Sequence, residues 1–536
     1  MIYDAIIVGY GPVGAVLANI LGKRGLSVAV VERMSGIFDK PRAINIDHEV
    51  MRVLQSVGIA DVVDAICSPH TGTEFRGIDN RLIKLFAPPK QPFPLGWTPN
   101  LMFIQPEFEP LLRSGVARFG NVEVMLSHEA GELEQDDSEV RLSVTALASG
   151  SRLELRSRYV IACDGAGSPI RKQLEISQES LEFDEWWTVV DAWLSGETPL
   201  PAMTTQFCLP SGPTTYVVGP RGLRRWDLKI LPDEDRADYE HRETIHRRLA
   251  PFVDTTQIDI WRSATYRFHA LLAKQWRRGR VFLAGDAAHQ MPPFMAQGLC
   301  SGIRDAGNLG WKLAAVLRDG RRSSVLDSYE AERKPHIREL VATTKAIGEI
   351  IGELDFDAAR KRDEALGREL DLGLSETRRQ KFIPDLTHGL IALSSDGHPS
   401  PGSGSLFVQP WVFVSDGTRR RLDDVLGDHF AIVTSEAASQ EAWLDAASAK
   451  TWSALSGVRV IVQTGDPRSS QGNLEANLEA NLDGILEVRE DGTLFKDWIA
   501  QFGNGAAVVR PDKYVYGIAS NADQLRAMIG CISQAM

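Results

Sequence analysis

Gly9-Tyr10-Gly11-Pro12-Val13-Gly14 follows the apolar run Ile6-Ile7-Val8 and opens a stretch whose apolar face continues to Arg24. Glycines at this GxGxxG spacing let the chain turn tightly and approach a pyrophosphate, and the helix N-terminus behind them favours negative charge. Lys23, Arg24 and Gly25 supply the cation and the left-handed residue that end a helix, and Ser27 to Glu32 reads as a second, buried strand. The unit is β-α-β, and Glu32 stands where a carboxylate accepts hydrogen bonds from ribose hydroxyls. A dinucleotide site is predicted. FAD and NAD stay open at this point, since both carry adenosine and a diphosphate.

Two more strand ends carry acidic glycine turns. Tyr159 to Ala162 runs into Cys163-Asp164-Gly165-Ala166-Gly167-Ser168-Pro169, and Arg280 to Ala284 runs into Gly285-Asp286-Ala287-Ala288-His289, then Pro292-Pro293-Phe294-Met295-Ala296-Gln297-Gly298-Leu299 and a helix. A carboxylate at such a strand end accepts a polyol hydroxyl, and backbone N–H groups near Gln297, Gly298 and Leu299 suit a flavin pyrimidine carbonyl.

Around these turns the pattern divides the chain. Val140 to Val144 and Leu153 to Arg156 alternate across a turn at Ala148-Ser149-Gly150-Ser151, which predicts a hairpin. Alternating, aromatic-rich runs between about 183 and 268 predict a mainly antiparallel sheet, and helices follow from 302 to 318 and from about 325 to 380, those after 358 forming a solvated face. His398 to Ser405 is the clearest linker, and strand-like and helical runs alternate beyond it, suggesting a separate α/β unit. The repeat Asn473-Leu474-Glu475-Ala476, Asn477-Leu478-Glu479-Ala480, Asn481-Leu482 predicts a surface helix or ordered loop.

With 536 residues, 43% of them hydrophobic, the chain has enough material for several cores. Lys plus Arg of 59 against Asp plus Glu of 71 gives a net charge of −12, which argues against a nucleic-acid binder. Cys67, Cys163, Cys208, Cys300 and Cys531 form no CxxC, so neither a metal site nor a disulfide framework is suggested, and a reducing cytoplasm fits. The first strand leaves no room for a secretion signal, and no apolar run is long enough to span a membrane.

Taken in order, the three fingerprints resemble the single-component, FAD-dependent aromatic hydroxylases of class A, with the para-hydroxybenzoate hydroxylase fold. Gly9, Gly11, Pro12, Val13, Gly14, Glu32 and Arg33 look like that family's ADP-binding segment, Asp164-Gly165 like its shared FAD and pyridine-nucleotide motif, and Gly285-Asp286 like its ribityl motif. The resemblance places Arg42, Gln105, Pro293, Gln297, Gly298 and Leu299 on the flavin side of the cofactor. Phe183-Asp184-Glu185, Arg224-Arg225-Trp226, Phe268-His269-Ala270 and the run Gly285 to Asn308 are most similar to the 3-(3-hydroxyphenyl)propionate hydroxylase subgroup.

This resemblance implies an α/β fold: a Rossmann-like FAD-binding domain (1–180 and 265–395), an inserted antiparallel substrate sheet (181–264 with part of 70–105), and a C-terminal thioredoxin-like domain (406–536). It further implies NADH or NADPH as transient reductant, O2 as co-substrate, a small phenolic substrate hydroxylated ortho to a hydroxyl through a flavin 4a-hydroperoxide, and a homodimer. Because phenolate is the better nucleophile, a residue must take the phenol proton, and Asp47, His48, Tyr216 and His269 are the candidates. Arg224 on the sheet is a candidate for a substrate carboxylate, and Pro293 and Met295 for contact with the ring. The alternatives are a tailoring or Baeyer-Villiger oxygenase of a bulkier polycyclic aromatic and a flavin-less binding protein. A halogenase is disfavoured because no WxWxIP is present.

Overall fold

The computed structural model describes residues 1–435, 443–463 and 484–536. The repeat between Asn473 and Leu482 lies outside them.

Three strands end together, and that alignment makes the site. Ile2–Val8 pairs in parallel with Arg152–Ala162 and Val28–Glu32, and Arg152–Ala162 with Val281–Leu283. Val8 lies opposite Ala162, and Ala162 opposite Leu283. The turns at Gly9, Cys163 and Gly285 therefore leave the sheet side by side at its carboxyl edge, where open α/β sheets bind ligands. Val28–Glu32 is almost wholly buried, as a parallel strand covered on both faces should be. The helix Pro12–Lys23 starts with proline at its first turn, and every residue from Gly14 to Gly22 is buried. It packs on the helix Gly298–Leu317, where a Cβ at Gly310 would meet Ile20 at 2.7 Å. The Val140–Ala146 and Arg152–Ala162 hairpin forms as predicted.

A second sheet also has eight strands. The strands Gln178–Leu194 and Ile258–Ala273 form its long antiparallel spine, and Leu223–Lys229, Thr214–Val218, Thr204–Phe207, Thr73–Arg76 and Leu82–Phe86 follow in that order. Alternation gives it two distinct faces. Val190, Tyr216, Trp226 and Leu228 pack on the helix Arg242–Leu249 through Ile245 and Leu249, forming the outer face. Trp187 and Phe75 belong to the inner face, where they pack with Met295, Ile347 and Ile351. The helix Asp327–Gly352, about 39 Å long at 1.5 Å per residue, ties both sheets together. Tyr329 near one end donates to the Leu283 carbonyl at 2.8 Å, and the Gly352 carbonyl at the other accepts from Lys229 at 2.9 Å. The exposed helix that follows ends at Asp371, short of the predicted 380.

In the C-terminal region Ala431–Thr434 and Val458–Gln463 are parallel, and Ala506–Val509 and Val515–Ala519 add antiparallel strands before the helix Ala522–Ala535. This βαβ and ββα arrangement on one sheet is thioredoxin-like. The stretch His398–Ser405 is not a loose tether. Gly404 bonds through its carbonyl to Leu386 and through its N–H to Val515, and a Cβ there would meet the Leu386 carbonyl at 1.9 Å. Its glycines serve close backbone approach rather than freedom.

The C-terminal unit docks through buried charge. Glu332 accepts from Arg510 at 2.8 Å, Lys312 at 2.7 Å and Asn308 at 2.6 Å, and Arg52 bonds both oxygens of Asp423. Among the described residues no helix is long and apolar enough to cross a membrane. Arg510 and Lys312 hold the fully buried Glu332 ionised well below the ordinary glutamate value of 4.5, although burial opposes them. A depressed folded value stabilises the fold above that ordinary value and loses its effect as pH falls through the acid range. Glu332→Gln, which leaves both cations facing a neutral amide, is expected to cost about 3–5 kcal/mol. Chemical denaturation followed by tryptophan fluorescence at pH 7 checks it.

Candidate active site at the strand ends

The glycine turn is fixed by its own backbone. Gly9 has φ +101°, and a Cβ there would lie 2.3 Å from the Cys163 carbonyl; one on Gly14 would lie 2.0 Å from the Gly9 carbonyl. Gly11, by contrast, faces open space, as do Gly165 and Gly298. Val13 seals the back of the turn, meeting Gly285 and Gly302. Glu32 accepts the Tyr10 and Met34 N–H groups, each at 2.7 Å, which aims its carboxylate at the turn. The neighbouring Arg33 is exposed and lies 3.6 Å from Glu129.

Polar atoms without partners converge on the same crevice. Asp164 Oδ2 accepts from the Ile170 N–H at 3.1 Å, whereas its Oδ1 is buried with no partner. Arg113 lies over the Tyr10 ring and donates to the Tyr10 carbonyl at 3.1 Å, and its Nε is likewise unpaired. Gln297 is fully buried; Arg304 holds its Oε1 at 2.9 Å and its Nε2 is free. Asp286 sits deep enough for burial to push its carboxyl above the usual range, yet its side chain is exposed, so it opens on a cleft. Gln105 accepts from the Arg42 and Ala43 N–H groups at 3.1 and 2.7 Å, which makes it the support of that loop. Pro293, Gly298 and Leu299 flank Gln297, and Ala296 takes a left-handed conformation to turn the chain between them. Open glycines, unpaired donors and acceptors, and a carboxylate at the cleft floor fit FAD.

Residues 2–344 match the family described as "FAD binding domain" and 404–534 the "HcaD C-terminal domain". The chain is 31% identical to a 3-(3-hydroxy-phenyl)propionate/3-hydroxycinnamic acid hydroxylase of Comamonas testosteroni, covering 96% of this chain and 94% of that one. It is 34% identical to a like-named hydroxylase of Burkholderia vietnamiensis, covering 95% and 92%. The chain belongs to the FAD-dependent aromatic hydroxylases. For the fold of this hydroxylase, the crystal structure of the flavin-dependent monooxygenase PieE in complex with FAD and substrate agrees at a TM-score of 0.78, 20% identity and coverage of 100% and 99%. The rebeccamycin biosynthetic enzyme RebC with reduced flavin agrees at 0.74 and 22%, covering both chains fully.

The structure sorts the substrate-side candidates differently from the sequence. Tyr216 and Arg224 both lie on the outer face of the second sheet, Tyr216 against Trp226 and Arg224 on the Gly219 and Leu223 carbonyls. His269 pairs with Asp184 at 3.4 Å, and alternation turns it away from Phe268, which stacks on Trp187. Asp47 caps the helix His48–Ser56 through Val50 and gives its other oxygen to Arg304, so neither oxygen is free. Burial lowers the His48 imidazole to about 4, a weak base. Met295 is buried, packed among Trp187 and Phe75 on the inner face of the second sheet.

The inner face carries what the sequence reading missed. Register sets Val189, Asp227, Thr215, Gln206 and Phe75 side by side on successive strands. Asp227 is buried, its Oδ1 has no partner, and burial pushes its carboxyl up to about 7 against the pull of Arg225 and Arg262. Arg225 donates to Asp191 and to the Arg42 carbonyl, and Arg262 to the Pro41 carbonyl, so the sheet grips the Arg42 loop. Trp187 and Met295 bound this polar row on one side, Val217 and Ile44 on the other.

Gly11→Ala and Gly14→Ala separate cofactor binding from folding. Gly11→Ala is expected to leave the thermal midpoint of the flavin-free protein within about 2 °C while weakening FAD binding at least tenfold, because it fills the open side of the turn. Gly14→Ala, which drives a methyl into the Gly9 carbonyl, is expected to abolish soluble expression. Flavin content and thermal melts read both.

Proposed function

We propose that this hydroxylase acts on a phenolic acid of the hydroxyphenylpropionate type, adding a hydroxyl ortho to the one present, in the cytoplasm, where its five unpaired thiols stay reduced. Near full-length similarity to relatives named for that substrate supports the reading. The observation that carries it is Asp227, a buried carboxyl with an unpartnered oxygen on the face turned toward Met295 and the Arg42 loop.

FAD, when bound, supplies two-electron transfer from NADH or NADPH and the activation of O2. The chain does the rest. Asp164, Asp286 and Gln297 present unpaired or exposed polar groups to the cofactor. Trp187, Phe268 and Phe294 exclude water from the floor of the substrate space. Asp227 accepts the proton of the substrate hydroxyl, which raises the electron density of the ortho carbon, and Thr215 and Gln206 beside it orient that hydroxyl.

A group near 7 is a base only in its ionised form, so hydroxylation should rise with pH through about 7. Asp227→Asn should lower kcat about 100-fold or more, remove that pH dependence, and leave flavin content unchanged. Single-turnover product formation between pH 5.5 and 9 with 3-(3-hydroxyphenyl)propionate tests this; an unaltered profile in the variant would overturn the assignment.

A further inference from the structure

Arg379 is a buried cation without a counter-ion. It begins the short turn Arg379–Phe382 and is 8% exposed, and one of its terminal nitrogens donates to the Met295 carbonyl. It forms no ion pair among the described residues. Asp47, the carboxylate near enough to act on it, is committed to Arg304 and the helix cap. Other buried arginines are treated differently by the fold: Arg225, Arg262, Arg304, Arg333 and Arg510 each pair with a carboxylate, and Arg171 bonds two carbonyls. A guanidinium this far withdrawn from water, with one protein acceptor, leaves its other nitrogens, which are not sealed off, to whatever enters the adjoining space.

Its surroundings face the substrate space. His70, on which Arg379 acts electrostatically, is held neutral mainly by burial, its value lowered to about 3. Its Nδ1 accepts the Gly72 N–H at 3.1 Å, so the proton sits on Nε2 and is donated to Thr204 Oγ1 at 3.2 Å. Thr204 precedes Gln206 by two on the same strand and shares its inner face. The cation therefore stands between the flavin-side loop, through Met295, and the end of the strand that carries Gln206 in the row shared with Thr215 and Asp227. No neighbouring acid neutralises it, and the neutral His70 makes no claim on an anion.

We propose that Arg379 is the anchor for the carboxylate of the substrate, fixing a phenolic acid by its acidic end while Asp227 takes the hydroxyl. This rests on the hydroxylase reading above and specifies it: the enzyme selects acids over neutral phenols, and the selection resides in Arg379 rather than in the outward-facing Arg224. Guanidinium and carboxylate match geometrically in a way that an ammonium does not reproduce, so lysine restores the charge but only part of the binding.

The test uses holoenzyme and a matched pair of ligands, 3-(3-hydroxyphenyl)propionate and its neutral propionamide. Dissociation constants come from the perturbation of flavin absorbance, and KM and kcat from product formation. Arg379→Gln should raise the dissociation constant and KM of the acid about 10- to 100-fold and leave those of the amide within about threefold; Arg379→Lys should fall between. Should acid and amide weaken in parallel, Arg379 merely holds the Met295 loop and the anchor is overturned. Should wild type and variant hydroxylate the acid with equal KM, the hydroxylase reading stands and the anchor falls. Should the wild type bind the acid in an Arg379-dependent way yet leave it unmodified, the anchor stands and the substrate reading falls. The lysine variant carries the same comparison if glutamine costs the protein its flavin.

Discussion

Two consecutive charges, Arg304 and Asp305, sit fully inside the molecule on the helix Gly298–Leu317, and the site depends on how that pair is satisfied. An ionised side chain out of water must be paired, so each one dictates the placement of its partners. Arg304 takes Asp47, Glu49 and Gln297. Asp305 takes the Gly285 N–H at 3.0 Å, His289 at 2.7 Å and Arg333 at 2.9 Å. One turn of helix thus fixes both the ribityl-type strand end and the flavin-side loop. His289 is a member of this scaffold, and its ring lies beside Trp276 rather than toward the cleft.

The cofactor side of the site was legible from sequence and the substrate side was not, because only the first is encoded locally. GxGxxG, Asp164-Gly165 and Gly285-Asp286 are local: a turn that brings backbone close to a pyrophosphate needs glycine at that position whatever surrounds it. The substrate sheet poses a different problem. Alternation separates Arg224 from Arg225 and Tyr216 from Thr215, but which face meets the flavin is decided by packing against two helices distant in the chain, Arg242–Leu249 and Asp327–Gly352. Asp227 lies three residues from Arg224, and nothing local distinguishes its environment. Arg379 lies in a charged stretch that reads as solvated surface and is drawn inward by its bond to Met295.

A comparable limit applied to the linker. Proline, glycine and serine from His398 to Ser405 signal freedom in an isolated chain, and here the same residues permit close backbone contact with Leu386 and Val515. Composition reports what a backbone can adopt, whereas neighbours decide what it does.

Tyr514 donates to Glu49 at 2.6 Å, Glu49 in turn holds Arg304, and Arg510 meets Glu332 a few residues earlier in the chain. Tyr514 and Arg510 lie about 500 residues beyond the strand Ile2–Val8 that opens the nucleotide fold. Synthesis from the N-terminus therefore exposes the glycine turns, Glu49 and Glu332 well before Tyr514 and Arg510 emerge to meet the two carboxylates. Completion of the interior around the flavin-side loop waits for the segment from Arg510 to Tyr514, so a chain terminated before it would carry the nucleotide motif without a finished site.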